Sequence, residues 1–387
     1  NLTINKVTAL TVTASTQSAS YGASITALYS NSAGFSSTGI GGGVINALTY
    51  TYAGSGSTTY AASTTAPSAP GTYSVTPSAV GFSTGSTGNY NAINYTAGTL
   101  TINSNALVIT ANTVGPISYG DATPTNGYTT TGLNSATTTI SVSYTYQGSG
   151  STIYGPSATA PTAAGSYSIT PSAATFSTGS SSNYTISYSS GSFTINKAVL
   201  TATPSGATAT YGDSAPVYGI SVTGFKNSET TSTAAGYVAP TCTSTYSATS
   251  AVGSSISYTC SGGSATNYTI TNSGSGSVVI SKATLTITPA TKSVTYGDPA
   301  PTYTFSVSGF KNGETTSTAT SYSAPTCTSS YTTTTNVSAS PLTITCTTPT
   351  TVTNYSFTSG SANLTINKVT ALTVTASTQS ASYGASI

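Results

Sequence analysis

The chain has 387 residues, of which only 3% are charged: seven Lys, no Arg and five Asp or Glu, with His, Met and Trp absent. About a quarter of an ordinary soluble protein is charged, so this surface must hold water through hydroxyl groups, which do so at any pH or salt. The composition excludes a nucleic-acid partner, which needs clustered basic residues; the lack of His removes any Ser-His or Cys-His nucleophile; and no run of about 18 apolar residues exists to span a membrane.

The chain opens with NLTINKVTALTVTASTQSASYGASI at 1–25, and the same residues return unchanged at 363–387. It therefore repeats after 362 residues and, lacking Met, reads as an excerpt holding one full period and the opening of the next. In chain order, LTINKV at 2–7 is a β-rich run followed by a second alternating run at 10–14. The same junction recurs as LTINSNAL at 100–107, FTINKAVL at 193–200, VISKATL at 279–285 and LTINKV at 364–369. Each first run reads as the last strand of one domain and each second run as the first strand of the next.

A turn follows each junction, at Tyr21-Gly22, Tyr119-Gly120-Asp121, Tyr211-Gly212-Asp213, Tyr296-Gly297-Asp298 and Tyr383-Gly384, spaced by 98, 92, 85 and 87 residues. The period thus divides into four domains: 7–103, 104–196, 197–281 and 282–367, with 1–6 the last strand of a preceding repeat and 368–387 the start of the next period. Thr, Ser, Gly and Tyr dominate, and no helical period is sustained. Short strands with Gly, Pro and Asn punctuation predict an all-β fold, one small Ig-like β-sandwich per domain, in a tandem array forming an elongated rod. The junctions carry no Gly or Pro hinge, so each domain is expected to rest on the next.

Only the last two full domains contain cysteine: Cys242 with Cys260, and Cys327 with Cys346, in matching contexts, APTCTSTY against APTCTSSY. Each pair is flanked by strand-like sequence, which suits neighbouring antiparallel strands and a disulfide within each domain. A zinc site needs four ligands, and neither His nor a CxxC spacing is present. Paired, oxidised cysteines place the chain outside the cytoplasm.

The fullest signature is YGDSAPVYGISVTGFKNSETTSTAAGYVAPTC at 211–242 and YGDPAPTYTFSVSGFKNGETTSTATSYSAPTC at 296–327, each followed by an Asn-Tyr segment, at Asn267-Tyr268-Thr269 and Asn354-Tyr355-Ser356. This resembles the MBG domain, YGX type, found in tandem in large bacterial surface proteins. The first two domains look like divergent relatives. Tyr21-Gly22 is followed by Ala, neither carries GFKN, and the two share TYAGSGSTTY at 51–60 and TYQGSGSTIY at 145–154. The resemblance implies a cell-surface or secreted location, a β-rich array that spaces or adheres, and no catalytic residue.

Each remaining motif has a structural reading beside a functional one. In the YGD turn Gly allows positive φ, Asp bonds nearby backbone and the Tyr ring covers the sandwich end; calcium would need more carboxylates than a domain offers, which is two at most. The Thr-x-x-Lys spacings at Thr3/Lys6 and Thr194/Lys197 put their side chains on opposite faces of a strand. Gly39, Gly41, Gly42 and Gly43 read as a loop, within an insertion at 30–47 that is the candidate for a domain-specific binding loop. Residues 7–103 contain no Asp, Glu or Lys, so that domain can form no Lys-Asn isopeptide link. Sequons at Asn1, Asn94, Asn183, Asn267, Asn336, Asn354 and Asn363 leave sugar attachment open, as chance matches abound in so Thr-rich a chain.

The 28 Tyr are read chiefly as packing, with exposed ones available to carbohydrate or to self-association. The expectation for function is a stalk or fibre segment of a giant bacterial adhesin or surface filament. It has no cofactor and no enzymatic activity; its partners are neighbouring repeats of the same chain, with lateral self-association into fibres. The alternative is a carbohydrate- or partner-binding module using Tyr and Thr surfaces.

Overall fold

Alternating Thr or Ser with Leu, Val and Ile dictates strands that bury one face, and the burial follows that period of two. Leu10–Ala14 buries Leu10, Val12 and Ala14, and Ala283–Pro289 buries Ala283, Leu285, Ile287 and Pro289 while the Thr between them face water. The computed structural model describes residues 1–30, 32–134, 138–349, 352–384 and 386. Asn31 of the 30–47 insertion, residues 135–137 and 350–351, and 385 and 387 of the returning segment lie outside the described residues. The chain divides into two units, Asn1–Ala198 and Val199–Ile387.

In the first unit the same two-layer sandwich occurs twice. In its first copy Leu10–Ala14 lies between Phe35–Thr38 and Ile93–Thr96 in one sheet, and Gln17–Ser20, Gly98–Asn103, Gly71–Thr84 and Val44–Gly54 follow one another across the second. The second copy pairs Asn105–Ala111 with Tyr128–Thr131 and Tyr184–Ser189, and orders Ile140–Gly148, Gly165–Phe176, Gly191–Asn196 and Val114–Ser118. In both, the opening segment crosses from one sheet to the other and pairs in parallel with the closing segment on each side, Leu10 with Ile93 and Gln17 with Leu100. The matched segments at 51–60 and 145–154 form like hairpin ends: Gly54 N donates to Tyr60 O at 2.9 Å and Gly148 N to Tyr154 O at 2.8 Å.

The second unit repeats the plan with shorter strands. In its first sandwich the long strand Ala198–Thr210 serves both layers, pairing with Gly219–Thr223 through residues 201–206 and with Gly276–Ser281 through 207–210. In its second, Ala283–Pro289 pairs with Phe305–Ser308 and Tyr355–Ser359, and the other sheet runs Lys292–Thr295, Ser361–Asn367, Leu342–Cys346, Cys327–Thr328. Cys242 faces Cys260, and Cys327 faces Cys346, on adjacent antiparallel strands, and both pairs are closed as disulfides. No helix among the described residues is long and apolar enough to cross a membrane.

Closing and opening strands abut. A single residue, Ser104, separates Gly98–Asn103 from Asn105–Ala111, and Lys282 alone separates Gly276–Ser281 from Ala283–Pro289. Within each unit one sandwich therefore hands the chain directly to the next.

Candidate functional site

The Tyr-Gly turn sits where a domain ends. Its Tyr N–H donates to the last residue of the closing strand: Tyr21 to Asn103 at 2.8 Å, Tyr211 to Ser281 at 2.9 Å and Tyr296 to Asn367 at 3.0 Å. Each turn then closes by the same bond, Ala23 to Ser20, Asp121 to Ser118, Asp213 to Thr210 and Asp298 to Thr295, all N to O at 3.0 Å. That anchoring aims the Tyr ring outward from the sandwich end. The sequence places a Tyr ring over the sandwich end without saying which sandwich it covers; for Tyr21 and Tyr211 the ring meets the following one.

In the second unit Tyr211 is buried and stands edge-on to Tyr355 of the next domain, centroids 5.5 Å apart with planes at 82°. Tyr211 Oη donates to Glu314 Oε1 at 3.0 Å, and Tyr355 Oη donates to the other oxygen of the same carboxylate. Burial, reinforced by that bond to Glu314, pushes the Tyr355 hydroxyl up to about 12. Around the rings, Lys311 Nζ meets Asp213 at 3.1 Å, Asn312 donates to Ala248 O at 3.1 Å, Val252 N donates to Asn354 Oδ1 at 3.0 Å, and Lys282 Nζ donates to Val352 O at 2.9 Å. One apolar cluster runs through both domains, joining Tyr211, Tyr258 and Ile280 to Leu285, Val352 and Tyr355.

The first unit builds the same junction without charge. Tyr21 packs edge-on to Tyr184 at 5.5 Å and 77°, on the cluster of Leu107, Ile109 and Ile140. Asn134 Nδ2 donates to Tyr21 O at 2.7 Å, in the place that Lys311 takes in the other unit. The glycine is needed twice over. Gly22 and Gly212 have φ of +88° and +87°, and a Cβ would lie 1.3 Å from Asn134 Nδ2 in one case and 2.3 Å from Lys311 Cβ in the other.

Sequence reasoning singled out the turn but not what receives it. Tyr184 and Tyr355 are the tyrosines of Asn-Tyr segments, and Lys311 belongs to GFKN; both motifs were legible as a signature without a role. A charge pattern could have exposed the pairing: Tyr21-Gly22 lacks the Asp, and the domain after it lacks the Lys. No group of three or more metal-ligating side chains occurs among the described residues. Nearly all Tyr are buried or half-buried; among the described ones Tyr188, Tyr296 and Tyr383 stand out as exposed. Of the sequon residues, Asn267 is buried and Asn354 is occupied by the bond from Val252.

The model of one family, the MBG domain (YGX type), matches the chain three times, at residues 107–194, 200–277 and 285–365. No curated protein matches. Among solved structures, the three N-terminal domains of the bacteriophage RB49 Highly Immunogenic Outer Capsid protein (Hoc) are similar at 11% identity, over 64% of this chain and 93% of that one, with a TM-score of 0.23.

Proposed function

The chain belongs to the MBG domain family, YGX type, and from that premise we propose that it is a structural segment, the stalk or fibre of a giant bacterial surface adhesin or filament, acting outside the cell as a spacer. The observation that carries this reading is the junction: in each unit a turn Tyr is seated edge-on against a Tyr of the next domain. Tyr211, Glu314 and Tyr355 converge there rather than around a cleft. Junctions of one residue between strands suit a stiff connection. Two disulfides and a surface of hydroxyls suit an oxidising, uncontrolled medium. We read the chain as non-enzymatic, since it holds no His to activate a Ser or Cys nucleophile.

The test is to lengthen and shorten the array in the producing cell by whole periods and locate an epitope at its outer end. A spacer moves the epitope outward by a constant step per period and is cut from intact cells by added protease. A glycan-binding module would instead lose adhesion in proportion to the periods removed, and the isolated period would bind sugars.

A further inference from the structure

The fourth turn is built like the others, and among the described residues nothing is seated against its glycine. Tyr331 Oη donates to Asp298 O at 2.8 Å, as Tyr246 Oη does to Asp213 O at 2.9 Å, so the turn is held in the same shape. Yet Tyr296 is 43% exposed, and a Cβ on Gly297, at φ +93°, would meet nothing within 4 Å.

At the opposite end of the period, the first domain carries the matching receiver. Phe82 stacks on Tyr90 at 5.6 Å and 17°, as Phe176 stacks on Tyr184 at 5.7 Å and 21°, and Tyr184 is the ring on which Tyr21 sits. Gly39 comes so close to the opening strand that a Cβ would lie 2.1 Å from Ala9 O; Gly132 and Gly309 do the same at Ala106 O and Thr284 O, at 2.0 and 2.4 Å. Ile40-Gly41 thus occupies the place of Leu133-Asn134 and Phe310-Lys311. With Gly41 in place of Asn134 or Lys311, the rim opens into a cavity of about 510 Å3, bordered by Ile40, Gly41, Gly43, Tyr90 and Lys6.

Identical residues also take opposite environments at the two ends. Leu364 and Ile366 are 0% and 3% exposed inside the closing strand of the fourth domain, whereas Leu2 and Ile4, the same residues one period earlier, are 91% and 87% exposed. Conversely Leu10 and Val12 are fully buried, and their counterparts Leu372 and Val374 are 88% and 83% exposed.

We infer that the cavity at Tyr90 is the socket for the Tyr296-Gly297-Asp298 turn of a preceding copy of this period. The inference rests on the tandem-array reading above and names the contact that joins one period to the next. The occupant is fixed by chain order, because the residues after Asn367 are Lys368 and Val369, the same pair that leads into the first domain as Lys6 and Val7. Tyr296 stands edge-on to Tyr90 there, as Tyr21 does to Tyr184. Gly41 gives Asp298 no lysine of the kind that Asp213 finds, and Lys6 is the cation bordering the cavity.

Hydroxyl-radical footprinting of the 387-residue chain against a chain carrying one further full period tests this. In the longer chain one of the two Tyr296 copies is followed by a first domain, so modification of the Tyr296 peptide falls to about half per copy, while Tyr211 stays protected in both. Unchanged modification of Tyr296 beside a protected Tyr211 overturns the socket and leaves the tandem array standing. Modification of Tyr211 to the same extent as Tyr296 overturns both. In the longer chain, cysteines placed at Asp298 and at Gly41 of the following copy cross-link on oxidation. Free thiols there, when the control pair at Asp213 and Lys311 closes, would also contradict the socket.

Discussion

Tyr211 and Tyr355 belong to different domains, stand 5.5 Å apart edge to face, and direct both hydroxyls at the one carboxylate of Glu314. Edge-to-face aromatic pairs contribute about 1 kcal/mol beyond their buried area, and a bond to a charged acceptor about 2. Removing the ring in Tyr211→Ala should therefore destabilise the junction by about 3 kcal/mol or more, and Tyr211→Phe by about 1 to 2. Hydrogen exchange of Ala283–Pro289 and Tyr355–Ser359 reports it. Equal protection in wild type and Tyr211→Ala would show that the ring is not what seats the domain.

The salt bridge beside it is a weaker contact. Lys311 and Asp213 side chains are 40% and 49% exposed, and pairs so wetted contribute about 0.5 kcal/mol or less. Asp213→Asn should change unfolding by no more than that, and added salt should leave the chain's stability nearly unchanged.

The glycines distinguish the seated turn from the open one. Gly212→Ala meets both the positive φ and Lys311, whereas Gly297→Ala meets only the φ. In the 387-residue chain the first should cost more than about 2 kcal/mol and the second about 1. Denaturant unfolding of the two variants compares them directly, and equal costs would contradict the close seating of Gly212.

Reduction should act on one half of the chain. The disulfides close loops of 18 and 19 residues in separation, and loops of that size are stabilised by about 3 kcal/mol each. On adding reductant, protection should fall in 197–367 and stay constant in 7–196, followed by hydrogen exchange.

The pH response follows from tyrosine. Burial holds Tyr29, Tyr50 and Tyr355 up to about 12, above the ordinary 10.0 that they regain on unfolding. The folded state thus keeps protons that the unfolded state gives up, so their contribution is whole below pH 10 and is lost as pH rises toward 12. With only five carboxylates, little changes across the neutral range. Tyrosinate absorbance should show a late class appearing together with unfolding; early, reversible titration of every tyrosine would contradict it.

The strands were legible because alternation of Thr with Leu or Ile has one reading when a single face is buried, as in Leu10–Ala14 and Ala283–Pro289. The turns were legible from Gly and Asp. What could not be read was direction: a Tyr before a Gly announces an aromatic at a sandwich end, but not which sandwich it covers. That depends on Tyr211 bonding to Ser281 at the closing strand's last residue, a pairing about 70 residues away in the chain that local pattern does not encode. Glu314 was invisible for the same reason, since its two partners lie 103 and 41 residues off.

The central claim is that the period is a repeating structural spacer whose domains are seated by these tyrosines. Electron microscopy of purified chains carrying one, two and three periods tests it most directly. The account predicts an extended particle whose length grows by the same increment with each period, in low salt and high. A compact particle, or a length that does not scale with the number of periods, would contradict it.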